Sequence, residues 1–368
     1  MFSYFVSTTV KFVLGVYAGY KILDFVTLWV EQRRRDKSDR NSWDLMEKDL
    51  YAESELIEVR DGRRLCVLRL PRVNVQARAE GVMFFIHGSM ARLSQFKDQI
   101  TYFRQVGYNV IAYDYFGMGR SPKESMNPGD YSTDEHTADL LRLYELFLGG
   151  DSQTQGSDLH WVRGPVHIVG HSFGCSQALR LSHHVLLNYG KSQNILRSVT
   201  LLGSGIPSPG KMKQARRIFS LPLWILRLLH PLLSSGFKDR ALHPDTVKGN
   251  EAGNLIHIRL LKFSEAVSGA NPMHVVQPFY LQMQQIDELT ARSVAKMAKE
   301  HNVKILMLTG EADKLTTVKS CKELAGTWLA QADPKIVILP LASHQVMQEQ
   351  PEKTNKLIME FVQGSCTH

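Results

Sequence analysis

Apolar residues along this chain follow two periods, one typical of strands and one typical of helices. Short apolar runs recur between residues 55 and 341, and segments with helical spacing separate most of them. The first two runs flank Asp61-Gly62, which favours a tight turn, and therefore predict a β-hairpin over 55–70. Later strands are predicted at 81–89, 108–115, 165–170, 196–203, 303–310 and 334–341, and helices at 94–107 and 133–148 among others. This alternation predicts an α/β fold, with a mostly parallel, twisted sheet that helices cover on both faces.

The alternation breaks over residues 204–302, where several helical patterns replace the single helix that would join two parallel strands. We expect this insertion to form a helical lid over the carboxyl edge of the sheet. The first part of the core then lies at 51–203 and the second part at 303–368. The lid segment 219–233 is very apolar, and its side chains either pack on the core, the commoner fate, or line an acyl pocket. These side chains include Trp224, Ile225, Leu226, Leu228 and Leu229.

Residues 1–32 are largely apolar and aromatic, and they are predicted to form a membrane-anchor helix. Lys11, Lys21 and Asp24 interrupt the apolar run. The helix therefore either spans the bilayer with a polar seam or lies in the interface with its lysines turned towards water. A polar linker is predicted at 33–50, before the core.

Basic residues directly after the anchor predict its orientation. By the positive-inside rule they place the catalytic domain in the cytosol. They are Arg33, Arg34, Arg35, Lys37 and Arg40. The endoplasmic reticulum and a mitochondrial membrane both stay open as locations, since a mitochondrial transit peptide would share the absence of acidic residues before Asp24. Four scattered cysteines without metal-ligand spacing favour a reducing compartment.

The net charge of +8 favours an acidic partner, and its distribution indicates which one. Basic residues cluster beside apolar segments, at 31–40 and 211–219. The chain has no zinc-finger spacing, no aromatic-basic RNA motif and no long basic tail. The pattern predicts contact with a membrane surface and no nucleic acid partner. Both clusters could also be ordinary solvated faces, and for the cluster at 211–219 the two interpretations are about even.

The stretch "VHIVGHSFGCSQALRL" (166–181) contains the main candidate for chemistry. Ser172 stands between Gly170 and Gly174, after a predicted strand and before a predicted helix. A serine hydroxyl is a weak nucleophile unless a base removes its proton and a sharp turn exposes it. G-x-S-x-G in this context predicts a nucleophile elbow.

Acyl transfer from an ester also needs two hydrogen-bond donors for the developing oxyanion. The backbone N–H of Phe173, directly after the nucleophile, is one candidate, and the adjacent helix N-terminus supports it. The backbone N–H of Ser89 is the other, in the loop after the third strand, with Gly88 allowing close approach. His87 in the same loop is expected to be structural.

The remaining triad members should follow the nucleophile in the order acid, then histidine. Asp313 follows one predicted strand and His344 follows the next, so both should reach the edge where Ser172 stands. Glu311 is the reserve acid. His171 is expected to point towards the pocket or the lid.

Residues 81–364 resemble the α/β-hydrolase superfamily, specifically its lidded α/β-hydrolase domain-containing serine hydrolases. The matching motifs are "FFIHGS", "GYNVIAYDYFGMGRS", "GHSFG", "GEADKL" and "SHQVMQEQPEKTNKLIMEFV". The resemblance implies an α/β-hydrolase fold. It also implies a triad of Ser172, Asp313 and His344 and an oxyanion hole formed by Ser89 and Phe173. Relatives with an aspartate nucleophile, such as epoxide hydrolases, do not match. In some relatives an Asp five residues after the catalytic histidine is associated with acyl transfer. Here Glu349 stands five residues after His344. Hydrolysis is therefore preferred, and acyl transfer stays open.

Together these features predict a membrane-associated serine hydrolase that cleaves a carboxylic ester. The anchor, the apolar lid and the basic flanks favour a lipid substrate such as a monoacylglycerol or a lysophospholipid. No metal and no organic cofactor is expected, because the triad mechanism needs neither. Two alternatives remain: an acyl-protein or acyl-CoA thioesterase, and a non-catalytic lipid-binding or scaffold protein that retains the fold.

Overall fold

One mixed sheet forms the centre of the molecule. A computed structural model describes residues 2–42, 47–74, 80–148, 164–189, 195–245 and 270–366. Within them the sheet has eight strands in the order β1-β2-β4-β3-β5-β6-β7-β8. The strands are β1 Ser54–Arg60, β2 Arg63–Leu70, β3 Gly81–Ile86, β4 Tyr108–Tyr113, β5 Val166–His171, β6 Leu196–Leu202, β7 Lys304–Gly310 and β8 Lys335–Leu339. Each predicted strand is present, and the predicted hairpin is β1 and β2.

The direction of the strands confirms the predicted α/β class. The hairpin strand β2 pairs antiparallel with β4, whereas every pair from β4 to β8 is parallel. The carboxyl ends of β3, β5, β6, β7 and β8 therefore meet at one edge of the sheet. Residues 81–86, 108–113 and 166–171 are buried throughout, as expected for strands covered on both faces.

Helices cover both faces of the sheet and also form the insertion and the N-terminus. They are α1 Phe2–Ser42, α2 Lys48–Ala52, α3 Lys97–Gln105, α4 Thr133–Leu148, α5 Phe173–Tyr189, α6 Pro209–Phe219, α7 Leu223–Ala241, α8 Met273–Gln282, α9 Glu288–Glu300, α10 Val318–Gly326, α11 Val346–Glu349 and α12 Pro351–Cys366. Apolar residues of α4, α5 and α9 form one core cluster, and those of α3 and α12 form the cluster on the opposite face.

The described parts of the insertion, 204–245 and 270–302, are mostly helical, as predicted, and its last helix belongs to the core. Helix α9 buries Ala291, Val294, Ala295 and Ala298 in the cluster that α5 shares, so it acts as the crossover helix into β7. The lid proper therefore comprises α6, α7 and α8, and residues 246–269 of the predicted lid lie outside the described residues.

The apolar lid segment divides between burial and exposure. Leu226 is fully buried, in a separate small cluster with Met273 and Val276 of α8. Leu228 and Leu232 are exposed, at 51% and 71%. The segment thus joins the lid helices to one another, and its outer face carries apolar residues in contact with solvent.

Helix α1 continues beyond the predicted anchor and through much of the predicted polar linker, as far as Ser42. Polar pairs one turn apart favour this continuation, such as the hydrogen bond of 3.0 Å from Gln32 Nε2 to Asp36 Oδ1. Among the described helices, none combines the length and the apolar character needed to cross a bilayer. The predicted transmembrane helix is therefore not supported, because polar residues interrupt its apolar run.

Candidate active site

Ser172 occupies a sharp turn between β5 and α5. Its φ of 52° lies in the left-handed region, which L-residues adopt at a cost of about 1–2 kcal/mol. The glycines on either side make this turn possible. A Cβ on Gly170 would lie 2.4 Å from the carbonyl oxygen of Gly174, and a Cβ on Gly174 would lie 2.2 Å from the carbonyl oxygen of Ile86. Small flanking residues are therefore a steric requirement of the turn.

Asp313 and His344 form a hydrogen-bonded pair at the ends of β7 and β8. His344 Nδ1 lies 2.8 Å from Asp313 Oδ2, and both side chains are buried. The second carboxylate oxygen of Asp313 accepts bonds of 2.8 Å from the backbone N–H groups of Leu315 and Thr316. The Thr316 hydroxyl adds a bond of 2.7 Å to Oδ2. This pairing leaves Nε2 of His344 as the ring atom available for proton transfer.

The electrostatics of the pair favour an ionised aspartate. Burial raises the pKa of Asp313, but the charge of His344 and hydrogen bonds from His344 and Thr316 outweigh burial and lower it below its ordinary value. Glu311, the reserve acid, has an exposed side chain, and the structure brings Asp313 to the imidazole instead.

Two glycines show how closely the loops meet at this edge. Gly203 follows β6, and a Cβ there would lie 3.0 Å from His344 Nδ1. Gly88 follows β3, and a Cβ there would lie 3.4 Å from the Ser172 Cβ. The His344 loop thus packs against Gly203, and the Ser172 turn packs against Gly88.

The two predicted oxyanion donors lie in neighbouring turns. Phe173 begins α5, and Ser89 belongs to the turn after Gly88, where Met90 has a φ of 53°. Gln95 holds this turn: its Oε1 accepts the Gly88 N–H at 3.1 Å, and its Nε2 donates to Gln345 Oε1 at 2.9 Å. Gln95 thereby links the Ser89 turn to the His344 loop. Sequence reasoning missed this residue, although a glutamine beside apolar Leu93 and Phe96 was a signal.

Two histidines near the site are buried and structural. His171, expected to face the pocket or the lid, is 2% exposed, and its Nε2 lies 2.9 Å from the backbone oxygen of His344. Burial lowers the pKa of His171 to about 3, so the ring is neutral. His87 is buried as well, as expected for a structural residue, and its Nδ1 lies 2.7 Å from the Gly88 oxygen.

Glu349 occupies the position associated with acyl transfer in some relatives. In this structure its carboxylate accepts hydrogen bonds from the backbone. Its two carboxylate oxygens accept hydrogen bonds from the N–H groups of Ser343, at 2.7 Å, and His243, at 2.5 Å. The carboxylate therefore supports the His344 loop and joins it to the end of the lid.

The lid helix α8 covers both oxyanion candidates. Phe279 packs edge-on against Phe173, with ring centroids 5.1 Å apart. The hydroxyl of Tyr280 lies beside the Ser89 side chain, and the ring of Tyr280 stacks on Phe219, with ring centroids 4.5 Å apart. Helix α6 contacts the loop after β7, which carries Asp313, because Lys211 Nζ donates to the Lys314 backbone oxygen at 2.7 Å.

No three His, Cys, Asp or Glu side chains in the described part of the chain are grouped so as to hold a metal ion.

Comparison with known proteins identifies the family. The model of the Alpha/beta hydrolase family matches residues 83–357, which is most of the chain. The chain belongs to the alpha/beta hydrolase family. This alpha/beta hydrolase is 24% identical over 286 residues to Protein ABHD8 of Bos taurus and of Homo sapiens. The match covers 78% of this chain and 57% of the bovine protein, so the chain spans little more than half the length of that relative. It is also 26% identical to a Proline iminopeptidase of Saccharolobus solfataricus over 269 residues, which cover 70% of this chain and 76% of that relative.

Solved structures share the fold of this alpha/beta hydrolase. A thermophilic esterase from Thermogutta terrifontis superposes with a TM-score of 0.60 at 17% identity, over 83% of this chain and 95% of the esterase. The enol-lactonase from Burkholderia xenovorans LB400 superposes with a TM-score of 0.57 at 16% identity, over 84% of this chain and 100% of the lactonase. The α/β-hydrolase fold implied by the sequence motifs is therefore confirmed.

Proposed function

We propose that this protein is a membrane-associated serine hydrolase that cleaves a carboxylic ester of a lipid, such as a monoacylglycerol or a lysophospholipid. One observation carries the catalytic part of the proposal. The buried Asp313–His344 pair, at 2.8 Å, lies on the same sheet edge as Ser172, whose φ of 52° is typical of a nucleophile elbow. Strain of this kind persists where surrounding structure enforces it, and it is common at active sites.

The proposed reaction proceeds through an acyl-enzyme. His344 Nε2 takes the Ser172 proton while the serine oxygen attacks the ester carbonyl carbon. The N–H groups of Ser89 and Phe173 stabilise the oxyanion, and Asp313 keeps the imidazole oriented and stabilises its charged form. His344 then gives the proton to the leaving alkoxide, and an alcohol departs. Water, deprotonated by His344, attacks the acyl-enzyme and releases a carboxylic acid and free Ser172.

Surface character favours a lipid as the source of the ester. Large apolar side chains of α1 are exposed, among them Ile22 at 65% and Phe25 at 69%, and the lid adds Leu228 and Leu232. Contiguous exposed apolar surface commonly marks contact with a membrane or another protein. We propose that α1 lies at a bilayer interface, with the catalytic domain on its cytosolic side, and that the substrate reaches Ser172 from that surface.

Labelling with a fluorophosphonate tests the activated serine directly. Wild type should be labelled, and Ser172→Ala should lose labelling and turnover while keeping its fold. Ser176→Ala is a matched control, because Ser176 lies one turn further along α5 and its hydroxyl makes no hydrogen bond within the described residues. Full labelling of Ser172→Ala would contradict the proposed nucleophile.

Competition by substrates separates the chemical classes. A long-chain monoacylglycerol, an acyl thioester and an N-terminal proline peptide, suggested by the name of the iminopeptidase relative, would each be added before the label. We expect protection by the monoacylglycerol at the lowest concentration. Protection only by the thioester would support a thioesterase, and protection only by the peptide would support a peptidase. A folded wild type that is never labelled would support the scaffold alternative.

A further inference from the structure

An ion-pair network, buried at Arg227 and Glu31, connects α1 to the lid. Arg227 of α7 is 4% exposed, and its Nη1 lies 2.6 Å from Asp24 Oδ1 while its Nε lies 3.2 Å from Glu31 Oε2. Arg34 of α1 also donates to the Arg227 backbone oxygen, at 3.3 Å. Removing one partner of a buried pair leaves a desolvated charge, so these contacts tie the two helices firmly together.

Glu31 reaches a second lid helix as well. Its Oε1 accepts the backbone N–H of Met273, the first residue of α8, at 2.7 Å. A carboxylate at this position is favourable, because the first N–H groups of a helix lack partners within the helix and carry partial positive charge. Glu31 itself is only 2% exposed. One side chain of α1 therefore holds both α7 and α8.

The contact continues through α8 to the candidate oxyanion hole. Tyr280, whose hydroxyl lies beside the Ser89 side chain, lies seven residues after Met273, or about two helical turns and ~10 Å. Asn271, just before α8, donates to the Met90 backbone oxygen at 2.6 Å. Movement of α1 relative to the core would therefore displace the lid helix that touches the Ser89 turn.

The opposite face of α1 carries a stripe suited to lipid. Residues 22, 25, 26 and 29 are spaced as one helix face, and all four are large, apolar and exposed. The stripe lies opposite the face that holds Thr27 and Glu31, both of which are buried. Arg33 extends the stripe, with its guanidinium 4.0 Å from the Trp29 ring. An apolar stripe that ends in a cation complements the acyl region and the anionic headgroups of a bilayer.

We propose that α1 and the lid form one unit that docks on an anionic phospholipid bilayer, and that Glu31 is the positioning residue that transmits this docking to the lid over Ser172. The proposal extends to Leu228 and Leu232, which α7 exposes beside its contact with α1. For its activity readout, the inference rests on the proposed ester hydrolysis. Its other readouts, vesicle binding and hydrogen exchange of the lid, are independent of that function.

The test compares the full chain with its variants on vesicles of phosphatidylcholine, with and without phosphatidylserine. Flotation measures binding, hydrogen exchange over 273–282 measures protection of α8, and turnover is measured on a vesicle-embedded monoacylglycerol and on a soluble short-chain ester. For wild type we expect binding that phosphatidylserine strengthens, increased protection of α8 on vesicles, and a higher ratio of vesicle turnover to soluble turnover than in Glu31→Ala.

Glu31→Ala should still float with vesicles, because the lipid stripe is intact, but α8 should gain no protection and the turnover ratio should fall about tenfold. Glu31→Gln, which keeps an acceptor for the Met273 N–H, should recover part of the ratio. A merely structural role would lower both turnovers together. The matched control is Glu55→Ala, which removes the same charge from an exposed pair with Arg69, at 2.9 Å, and should behave as wild type.

A second variant tests the docking surface without disturbing buried contacts. Phe25→Asn with Trp29→Asn should abolish flotation and the vesicle-induced protection of α8. Wild type that fails to float would overturn the proposal, and so would Glu31→Ala that floats with wild-type protection and turnover ratio. Wild type that floats and protects α8 but cleaves no ester would overturn the proposed function and leave the docking unit supported.

Discussion

The backbone at Ser172 shows how single positions determine the shape of the site. Its left-handed φ is held by packing, because α5 starts directly against the end of β3: the carbonyl oxygens of Ile86 and His87 both lie within 2.6 Å of where a Gly174 Cβ would be. The motif made this requirement readable from the sequence, since G-x-S-x-G has a steric reason. The burial of His171 was not readable, because its partner is the backbone of His344, 173 residues away.

Gly174→Ala should therefore be severely destabilising. The obstructing atoms are backbone oxygens that cannot turn aside, so α5 must shift away from β3, and we expect a loss of about 3 kcal/mol in the free energy of unfolding. Urea denaturation measures this loss. Gly210→Ala is the matched control: a Cβ there meets nothing within 4 Å, and it should be neutral or stabilising by up to about 1 kcal/mol. Equal stability of the two variants would show that the turn is not crowded.

The helices differ in how far their own sequence determines where they begin and end. Helix α4 was predicted at 133–148 and spans Thr133–Leu148, since its buried residues repeat at helical spacing. Helix α1 was predicted too short, because its polar C-terminal part is stabilised by pairs along its surface and by the lid. The contact between Glu31 and Arg227, 196 residues apart, has no local signal in the sequence.

Tyr280 is the point at which the lid meets the candidate oxyanion hole. Tyr280→Phe keeps the stacking on Phe219 but removes the hydroxyl that lies beside the Ser89 side chain. If that hydroxyl orients the Ser89 turn by hydrogen bonding, kcat/KM for an ester should fall about 3–10-fold, the effect of one hydrogen bond of about 1 kcal/mol.

Steady-state kinetics of Tyr280→Phe should be compared with those of Tyr102→Phe. Tyr102 lies on α3 and packs on the opposite face of the sheet, so its variant should keep wild-type kinetics. An unchanged kcat/KM in Tyr280→Phe would show that the lid contact does not orient the turn.

At the scale of the whole molecule, buried histidines are distributed through the core. Burial lowers the pKa of His87, His136, His167 and His171 to about 3, from an ordinary value of 6.5. Below pH 6.5 the unfolded chain therefore binds protons that the folded chain does not. The free energy of unfolding consequently decreases as the pH is lowered. Asp114 acts in the opposite sense, because burial raises its pKa to about 6 and the folded chain takes up that proton first.

For these five groups the unfolded chain binds about three more protons than the folded chain near pH 5, which corresponds to a contribution of about 4 kcal/mol lost per pH unit as pH falls. Urea unfolding between pH 7 and pH 4.5 should reveal this slope. His136 allows a specific test, since neither ring nitrogen has a hydrogen-bond partner within the described residues and its neighbours are the rings of Tyr115 and Phe279. His136→Phe should reduce the slope by about 1.4 kcal/mol per pH unit. An unchanged slope would mean that His136 titrates normally in the folded protein.

The position of the lid in the chain affects what happens to the site when the chain is cut. The insertion leaves after β6 and returns at β7, and these strands are direct neighbours, paired from Ser198 with Lys304 to Leu202 with Leu308. A single proteolytic cut between α6 and α7, at residues 220–222, would yield one fragment with Ser172 and another with Asp313 and His344. The two fragments would stay joined by this pairing and by the bond between Gln95 and Gln345. The lid is thus a place where the covalent chain can be broken while nucleophile and base remain in one complex.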